Sequence, residues 1–363
     1  MSGGAAGLLL QVAAKEPLDI LGRADRQGSG LVFTGAGAIE AVHAARRHGF
    51  EHPLLTDRRR YAGLSRVRGT ALFTQSWLAG QRQAGIAPVL TDSGYIGDGD
   101  VTALRAVLRQ AAQAGPGVTA VLPLHAHWLR RDASSLITEV TAHGVPVALV
   151  LEHRGDPLAA PEAVARLIDL LNRTPQVALL ATGIAGLAAL GFGASWAAVG
   201  VRRSLRQLQP ATSADEPAAR KARWRPAAPE IVAAPVLTFA ALPAVVQAYL
   251  ATRDNRVWAC RCASCHGRTP EWLASASAFD ANSHNFDLLA DHAHALLRCD
   301  RGPARQRAWQ AQCRTAVRQY DELGLAAQGF EPPRLLSACA RAGGTVPVVG
   351  REAGHEAGLR SAG

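Results

Sequence analysis

Short apolar runs alternate with amphipathic stretches along the first two hundred residues. The runs are rich in Val, Leu, Ile and Ala and are four to seven residues long, as expected of buried strands. They are Leu31–Thr34, His52–Asp57, Ala71–Thr74, Pro88–Asp92, Thr119–Leu124, Val145–Leu151, Val177–Ala181 and Trp196–Gly200. Helices are predicted over 36–47, 75–83, 98–113, 132–143, 161–172 and 184–190.

This alternation predicts an α/β protein with parallel strands joined by right-handed crossovers. Eight runs favour a compact (β/α)8 TIM-like barrel. The later cluster of Cys260, Cys262 and Cys265 indicates an attached, mostly helical, zinc-binding subdomain. The second and third runs lie rather close together along the chain for a full crossover unit between them. An open doubly wound sheet is therefore the alternative.

The composition changes after the eighth run and predicts four parts. Residues 1–208 form the barrel, and 209–230, rich in Pro and Ala, form a basic linker or loop. Residues 231–340 form the zinc-binding subdomain with basic helices, and 341–363 form a glycine-rich flexible tail. Within the linker, Arg220, Lys221, Arg223 and Arg225 surround Trp224, which suits nucleic-acid contact or simply a solvated loop.

Two uncharged stretches, 177–201 and 231–251, are long enough to cross a membrane. The first contains five glycines at element boundaries and the second contains two prolines. We therefore expect a buried strand–helix–strand unit and a proline-broken core segment, and no membrane association. We expect no signal peptide in the first fifteen residues, which have no basic segment before their apolar run. A cytoplasmic location is predicted.

The chain of 363 residues has a net charge of +10, and all but two of its 39 basic residues are arginine. A basic surface attracts polyanions, and arginine suits phosphate. The charge balance therefore makes tRNA or DNA a candidate partner.

Three thiols lie within six residues at Cys260, Cys262 and Cys265, and His284 follows after eighteen intervening residues. Three cysteines and one histidine form a common structural zinc set. His266, His292 and His294 are nearby competitors for the fourth position. The spacing predicts a structural Zn²⁺ site in a reducing compartment.

In a β/α barrel the active site lies at the carboxyl ends of the strands. The polar residues that follow the apolar runs include His125, His127, Asp57, Asp92, Glu152 and Asp156. Asp92 is prominent because Gly94 permits a tight turn that would present its carboxylate to a pocket. Such a carboxylate can bind a base N–H or move a proton, and Glu152 and Asp156 are the other candidate acids.

The run Pro88-Val-Leu-Thr-Asp-Ser-Gly94, taken with the Cys-x-Cys-x₂-Cys…His-Asn pattern, resembles the tRNA-guanine transglycosylase (queuine/archaeosine tRNA-ribosyltransferase) superfamily. The resemblance spans about half of the chain and includes relatives of the DNA-deazaguanine type. It implies that Asp92, with Ser93, Gly94 and Tyr95, engages a guanine or 7-deazaguanine base. It also implies phosphate contacts from Arg202, Arg203 and Arg206. We also expect a homo- or heterodimer.

One departure from the family concerns its covalent nucleophile, an aspartate in the last barrel strand. That place falls here on Ala197 or Ala198. Alanine cannot attack ribose, so either Glu152 or Asp156 replaces the aspartate or base exchange does not occur. Three hypotheses follow: a base-exchanging pentosyltransferase, an inactive paralogue that binds nucleic acid or a partner subunit, and an unrelated barrel enzyme acting on a small molecule.

Overall fold

The computed structural model describes residues 7–16, 19–174, 176–211, 228–252 and 255–342. Eight parallel strands form one sheet in the order β3-β2-β1-β8-β7-β6-β5-β4. They are β1 (Gly7–Ala13), β2 (Leu31–Thr34), β3 (Leu54–Asp57), β4 (Val89–Leu90), β5 (Val118–His125), β6 (Val147–Glu152), β7 (Val177–Thr182) and β8 (Trp196–Gly200). Because β1 pairs with β8, the sheet curls into a nearly closed barrel. The barrel prediction is confirmed, and the doubly wound alternative is wrong.

A helix follows each of the first seven strands. They are α1 (Asp19–Arg26), α2 (Ala38–Arg47), α3 (Gln75–Gln83), α4 (Val101–Gln113), α5 (Ala133–His143), α6 (Pro161–Arg173) and α7 (Ala185–Gly191). On α4 the apolar positions Leu104, Val107 and Leu108 are fully buried, as their spacing predicts, and Asp100 caps the helix through the N–H of Ala103.

Two of the strand assignments differ from the sequence-based expectation. The first strand is β1, an apolar run that had not been assigned as a strand, and it pairs with both β2 and β8. The expected strand Ala71–Thr74 is a loop. Side chains of distant residues accept hydrogen bonds from two of its N–H groups: Phe73 N donates to Gln110 Oε1 and Thr74 N donates to Asp92 Oδ1. These bonds take the place of the backbone hydrogen bonds that a strand would make with a neighbouring strand.

In the part of the chain after the barrel that the structure describes, there are a hairpin and five α-helices. These are β9 (Glu230–Ala233), β10 (Thr238–Ala241), α8 (Leu242–Ala251), α9 (Glu271–Ala274), α10 (Ala278–Leu297), α11 (Pro303–Glu322) and α12 (Arg334–Arg341). The three clustered cysteines and buried residues of α10 belong to the same hydrophobic core as the barrel strands. A second, smaller core surrounds Trp258. This region therefore packs directly on the barrel.

The two uncharged stretches fold as expected from their glycines and prolines. Residues 177–201 form β7, α7 and β8, and 231–251 form most of the β9–β10 hairpin followed by α8. Among the described residues, none of the helices combines the length and the apolar character needed to cross a membrane. Most of the expected linker, with Trp224 and its basic neighbours, and nearly all of the expected tail lie outside the described residues.

Candidate metal centre and barrel mouth

Cys260, Cys262, Cys265 and His284 form one buried cluster. Their ligand atoms all lie within 4.8 Å of one another. His284 Nδ1 is 3.1 Å from Cys265 Sγ and 3.6 Å from Cys262 Sγ. A tetrahedral zinc with ordinary Zn–S and Zn–N bonds places its donors roughly 3.5–3.8 Å apart. The 3.6 Å separation lies in this range and the 3.1 Å separation is somewhat shorter. The cluster can hold a metal ion such as zinc.

Local backbone structure brings the four side chains together. The segment that contains the cysteines folds back on itself, because Cys265 N donates to Cys262 O and Gly267 N donates to Cys260 O. Gly267 adopts a φ of +84°, which favours glycine at this turn. On the opposite side, Ser277 and Asp280 form a capping box that begins α10, and His284 lies about two turns into that helix.

The second nitrogen of His284 fixes the orientation of the ring. His284 Nε2 lies 2.8 Å from the carbonyl oxygen of Val232, which can only accept, so Nε2 donates and Nδ1 faces the thiols. Of the three competing histidines, His266 is exposed and His292 bonds to Gln312. His284 is therefore the histidine that joins the cysteines, as predicted.

The other predicted residues lie at the barrel mouth, the face formed by the carboxyl ends of β1–β8. Asp92 follows β4 there, and its side chain is completely buried. Its Oδ2 accepts hydrogen bonds of 2.9 Å from both Arg58 and Arg60, while Oδ1 accepts from Thr74 N. Asp92 is thus enclosed by three donors and does not face an open pocket.

Ser93 and Gly94 form a close contact between the turn after β4 and the loop after β3. Ser93 is fully buried, and its hydroxyl is 2.7 Å from that of Thr91. A Cβ on Gly94 would lie 2.1 Å from the carbonyl oxygen of Arg68, so only glycine fits. Tyr95 N donates to Val67 O, which continues the contact.

Glu152, at the end of β6, is held by two partners across the barrel mouth. One carboxylate oxygen accepts from Arg66 and the other accepts from the hydroxyl of Tyr95. The Arg66 guanidinium also lies 3.7 Å above the centre of the Tyr95 ring. Burial and the neighbouring Glu152 carboxylate raise the pKa of Tyr95, so Tyr95 stays a proton donor at neutral pH.

The loop between β3 and α3, residues 58–74, is the main feature that the sequence interpretation missed. We call it the arginine loop because it contributes Arg58, Arg59, Arg60 and Arg66 to the barrel mouth. Arg59 has a positive φ of 61° and reaches across the mouth to donate to Ser204 O. Three consecutive arginines directly after a strand were the available sequence signal.

A cavity of about 380 Å³ lies between the ends of β6 and β7, the segment after β8 and the β9–β10 hairpin; its lining includes Asp156, Thr182, Arg203, Arg206, Glu230 and Phe239. Asp156 Oδ1 accepts from Leu158 N, and burial raises the pKa of its carboxyl group. The cavity therefore has both acidic and basic walls.

The three predicted phosphate-binding arginines differ in their exposure. Arg206 is largely buried, donates to Glu230 Oε2 at 2.7 Å and stacks 3.6 Å from the centre of the Phe239 ring. Burial lowers the pKa of Arg206 to about 10, which leaves the guanidinium charged at neutral pH. Arg203 and Arg202 have side chains that are 81% and 58% exposed, although they also contact Glu230 and Glu16 respectively.

Ala197 and Ala198 are both fully buried within β8. Ala197 faces α7, because a Cβ on Gly186 would lie 3.4 Å from Ala197 Cβ. Side chains alternate along a strand, so Ala198 faces the barrel interior. The inward-facing position in this part of β8 thus has only a methyl group.

No protein-family model matches the chain, and no curated protein matches it. Among solved structures, a type I 3-dehydroquinate dehydratase from Clostridium difficile is similar with a TM-score of 0.34 and 11% identity. That match covers 57% of this chain and 88% of the dehydratase chain. The fold and site define a TIM-like barrel with a buried Cys₃His cluster suited to a metal ion such as zinc.

Proposed function

We propose that this chain is a transglycosylase-like barrel that binds tRNA or DNA, with a guanine or 7-deazaguanine base as its ligand, and does not exchange that base. The observation behind the proposal is Ala198, which faces the barrel interior where the resemblance expects an aspartate nucleophile. Asp92 and Glu152 are poorly placed to act as the nucleophile instead, because arginine, tyrosine and backbone donors already bind their carboxylate oxygens. A nucleophilic carboxylate needs an accessible oxygen.

Binding of a polynucleotide is supported by charge and exposure near the barrel mouth. The net charge is +10, and the exposed guanidiniums of Arg202 and Arg203 follow β8 directly. Arginine at such a position can contact backbone phosphates. In this proposal the Cys₃His cluster holds structural Zn²⁺, since four buried N and S donors leave no position for substrate. The metal would fix the hairpin and α10 against the barrel.

The test uses the full-length, zinc-loaded protein with tRNA and with duplex DNA, each containing labelled guanine. The proposal expects salt-sensitive binding without release of label, whether or not free deazaguanine is added. Label release that depends on the protein would overturn the non-exchanging assignment. Absence of binding at low salt would instead favour a barrel enzyme that acts on a small molecule.

A base-exchanging enzyme is the second candidate, and Asp156 is the observation in its favour. Asp156 lines the cavity beside Arg203 and Arg206, and among the described residues only Leu158 N bonds to its carboxylate. In that case its carboxylate oxygen would attack ribose C1′ and the base would leave with the bonding electrons. A denaturation-resistant adduct between protein and polynucleotide, formed by the wild type and absent in Asp156→Asn, would establish this candidate.

A further inference from the structure

A second group of potential metal ligands lies at the barrel mouth, apart from the Cys₃His cluster. It consists of Asp98 from the segment after β4, His125 at the end of β5, and His127 from the short 3₁₀ turn that follows β5. One ligand atom from each residue lies within 4.8 Å of the other two. His127 Nδ1 is 2.8 Å from Asp98 Oδ2, and the two imidazole rings are 4.4 Å apart in an edge-to-face arrangement.

Backbone hydrogen bonds hold these three residues in place. Ile96 N donates to Pro123 O, and His125 N donates back to Ile96 O, so the segment before Asp98 runs alongside the end of β5. Trp128, fully buried after His127, donates from its indole Nε1 to Gly97 O at 2.7 Å. These bonds join the two segments on both sides of the cluster. His125 is therefore positioned by a barrel strand, and the segments that contain Asp98 and His127 are joined to each other and to that strand by hydrogen bonds.

We propose that Asp98, His125 and His127 form a second metal site for a divalent transition-metal ion. Two imidazoles and one carboxylate are the donor set of open mononuclear sites for ions such as Fe²⁺, Mn²⁺, Co²⁺ and Zn²⁺. Metal–N and metal–O bonds of about 2.0–2.2 Å place neighbouring donors roughly 3 Å apart, and the 2.8 Å separation of His127 Nδ1 and Asp98 Oδ2 fits this spacing.

The exposure of this cluster gives it a different role from the Cys₃His cluster. The Asp98 side chain is 43% exposed and that of His127 is 27% exposed, whereas all four Cys₃His residues are buried. Three protein ligands on an accessible face leave coordination positions for water or a ligand atom. The site lies at the carboxyl end of β5, next to the strand that ends in Glu152. A metal there would place an exchangeable water at the barrel mouth.

The experiment uses the untagged full-length protein with zinc in the Cys₃His cluster, titrated with Co²⁺ after removal of excess metal. The proposal expects a second equivalent of metal per chain. Its cobalt spectrum should show d–d bands without the near-ultraviolet sulfur-to-cobalt charge transfer that a thiolate site gives. Asp98→Asn and His127→Ala should each weaken Co²⁺ binding about tenfold or more, while the zinc content stays at one equivalent and so reports that the chain is folded.

His143→Ala is the matched control, because within the described part of the chain the bond of His143 is to a carbonyl of its own helix. It should bind the second equivalent like the wild type. A stoichiometry that stays at one metal per chain would overturn the proposal. The proposal would also be overturned if Asp98→Asn and His127→Ala bound the second equivalent as tightly as the wild type. Asp98 and His127 would then form only an ion pair.

Discussion

His284 and Val232 are joined by a hydrogen bond of 2.8 Å, from the imidazole Nε2 to the backbone carbonyl of β9. The next residue, Asn285, also binds β9, because its side chain accepts from Val232 N and donates to Glu230 O. Glu230 in turn pairs with the buried Arg206 beside the cavity. A continuous set of contacts thus links the Cys₃His cluster to the barrel mouth, and the metal should influence both regions.

Loss of the metal should therefore destabilise the hairpin as well as the cluster. Removing a ligand with Cys265→Ser should cost at least about 3 kcal/mol, since structural zinc binding contributes directly to folding. At roughly 2 °C per kcal/mol for a chain of this size, Tm should fall by about 6 °C or more. Hydrogen exchange should accelerate in β9 and α10.

Cys299→Ser is the control for the metal prediction. Cys299 is a half-exposed cysteine outside the cluster, so its replacement should leave both zinc content and Tm unchanged. Chelation of the wild type should reproduce the effect of Cys265→Ser. If chelation removed the metal while exchange in β9 stayed slow, the proposed coupling between the cluster and the hairpin would be wrong.

Gly94→Ala should disturb the barrel mouth through the arginine loop. The added Cβ would meet the carbonyl oxygen of Arg68 at 2.1 Å, so the loop must move. Overpacking of this kind costs about 1–3 kcal/mol. Gly97→Ala, three residues later, is a control with open space around its Cβ. Thermal unfolding should show a lower Tm for Gly94→Ala than for Gly97→Ala, and equal values would contradict the packing argument.

The sequence predicted most of the strands and the members of the Cys₃His cluster from local patterns. Seven of its eight apolar runs overlap observed strands, and the spacing of Cys260, Cys262 and Cys265 indicated the buried cluster because those contacts lie within one short turn. The run Ala71–Thr74 was misassigned because its N–H partners are side chains far along the chain.

The arrangement of the barrel mouth could not be predicted in the same way. The spacing of Asp92 and Gly94 suggested an accessible carboxylate, but the accessibility depends on Arg58 and Arg60, which lie more than thirty residues earlier. Arg66 is 86 residues from Glu152. Contacts at such separations depend on how the barrel closes, and no local periodicity encodes them. Residue types near strand ends therefore indicated where a site could lie, but they did not indicate which carboxylate oxygens are already hydrogen-bonded.

Asp92→Ala should destabilise the fold, because it leaves the guanidiniums of Arg58 and Arg60 without their buried carboxylate. Breaking a buried ion pair costs about 3–5 kcal/mol. As a control, Asp169→Asn removes the exposed pair with Arg173 on α6, which is worth at most about 1 kcal/mol. Differential scanning calorimetry should show a clear fall in Tm for Asp92→Ala alone. An unchanged Tm would mean that the arginine loop is not anchored by Asp92.

Asp156 should make stability depend on pH in a defined direction. Burial raises the pKa of this carboxyl group above its ordinary value of 3.8, so the folded state binds its proton more tightly than the unfolded state. The associated stability is present below pH 3.8 and is lost as pH rises through the folded-state pKa. The Tm of the wild type minus that of Asp156→Asn should therefore decrease as pH rises above 4. A difference that increases with pH would refute the assigned shift.

Substitution of Arg203 should affect nucleic-acid binding, whereas substitution of Arg206 should affect stability, although both side chains contact Glu230. Arg203 is largely exposed, so Arg203→Ala should keep Tm, weaken tRNA or DNA binding and reduce the salt slope of log K by about one. Arg206 is buried beside Phe239, so Arg206→Ala should lower Tm by leaving Glu230 without its closest partner.

Arg105→Ala, on α4, is an exposed control that should change neither the nucleic-acid affinity nor Tm. Fluorescence anisotropy across a salt series measures the binding. If Arg203→Ala and Arg105→Ala gave the same affinity and slope, the segment after β8 would not contact phosphate, and the polynucleotide would have to bind another face of the molecule.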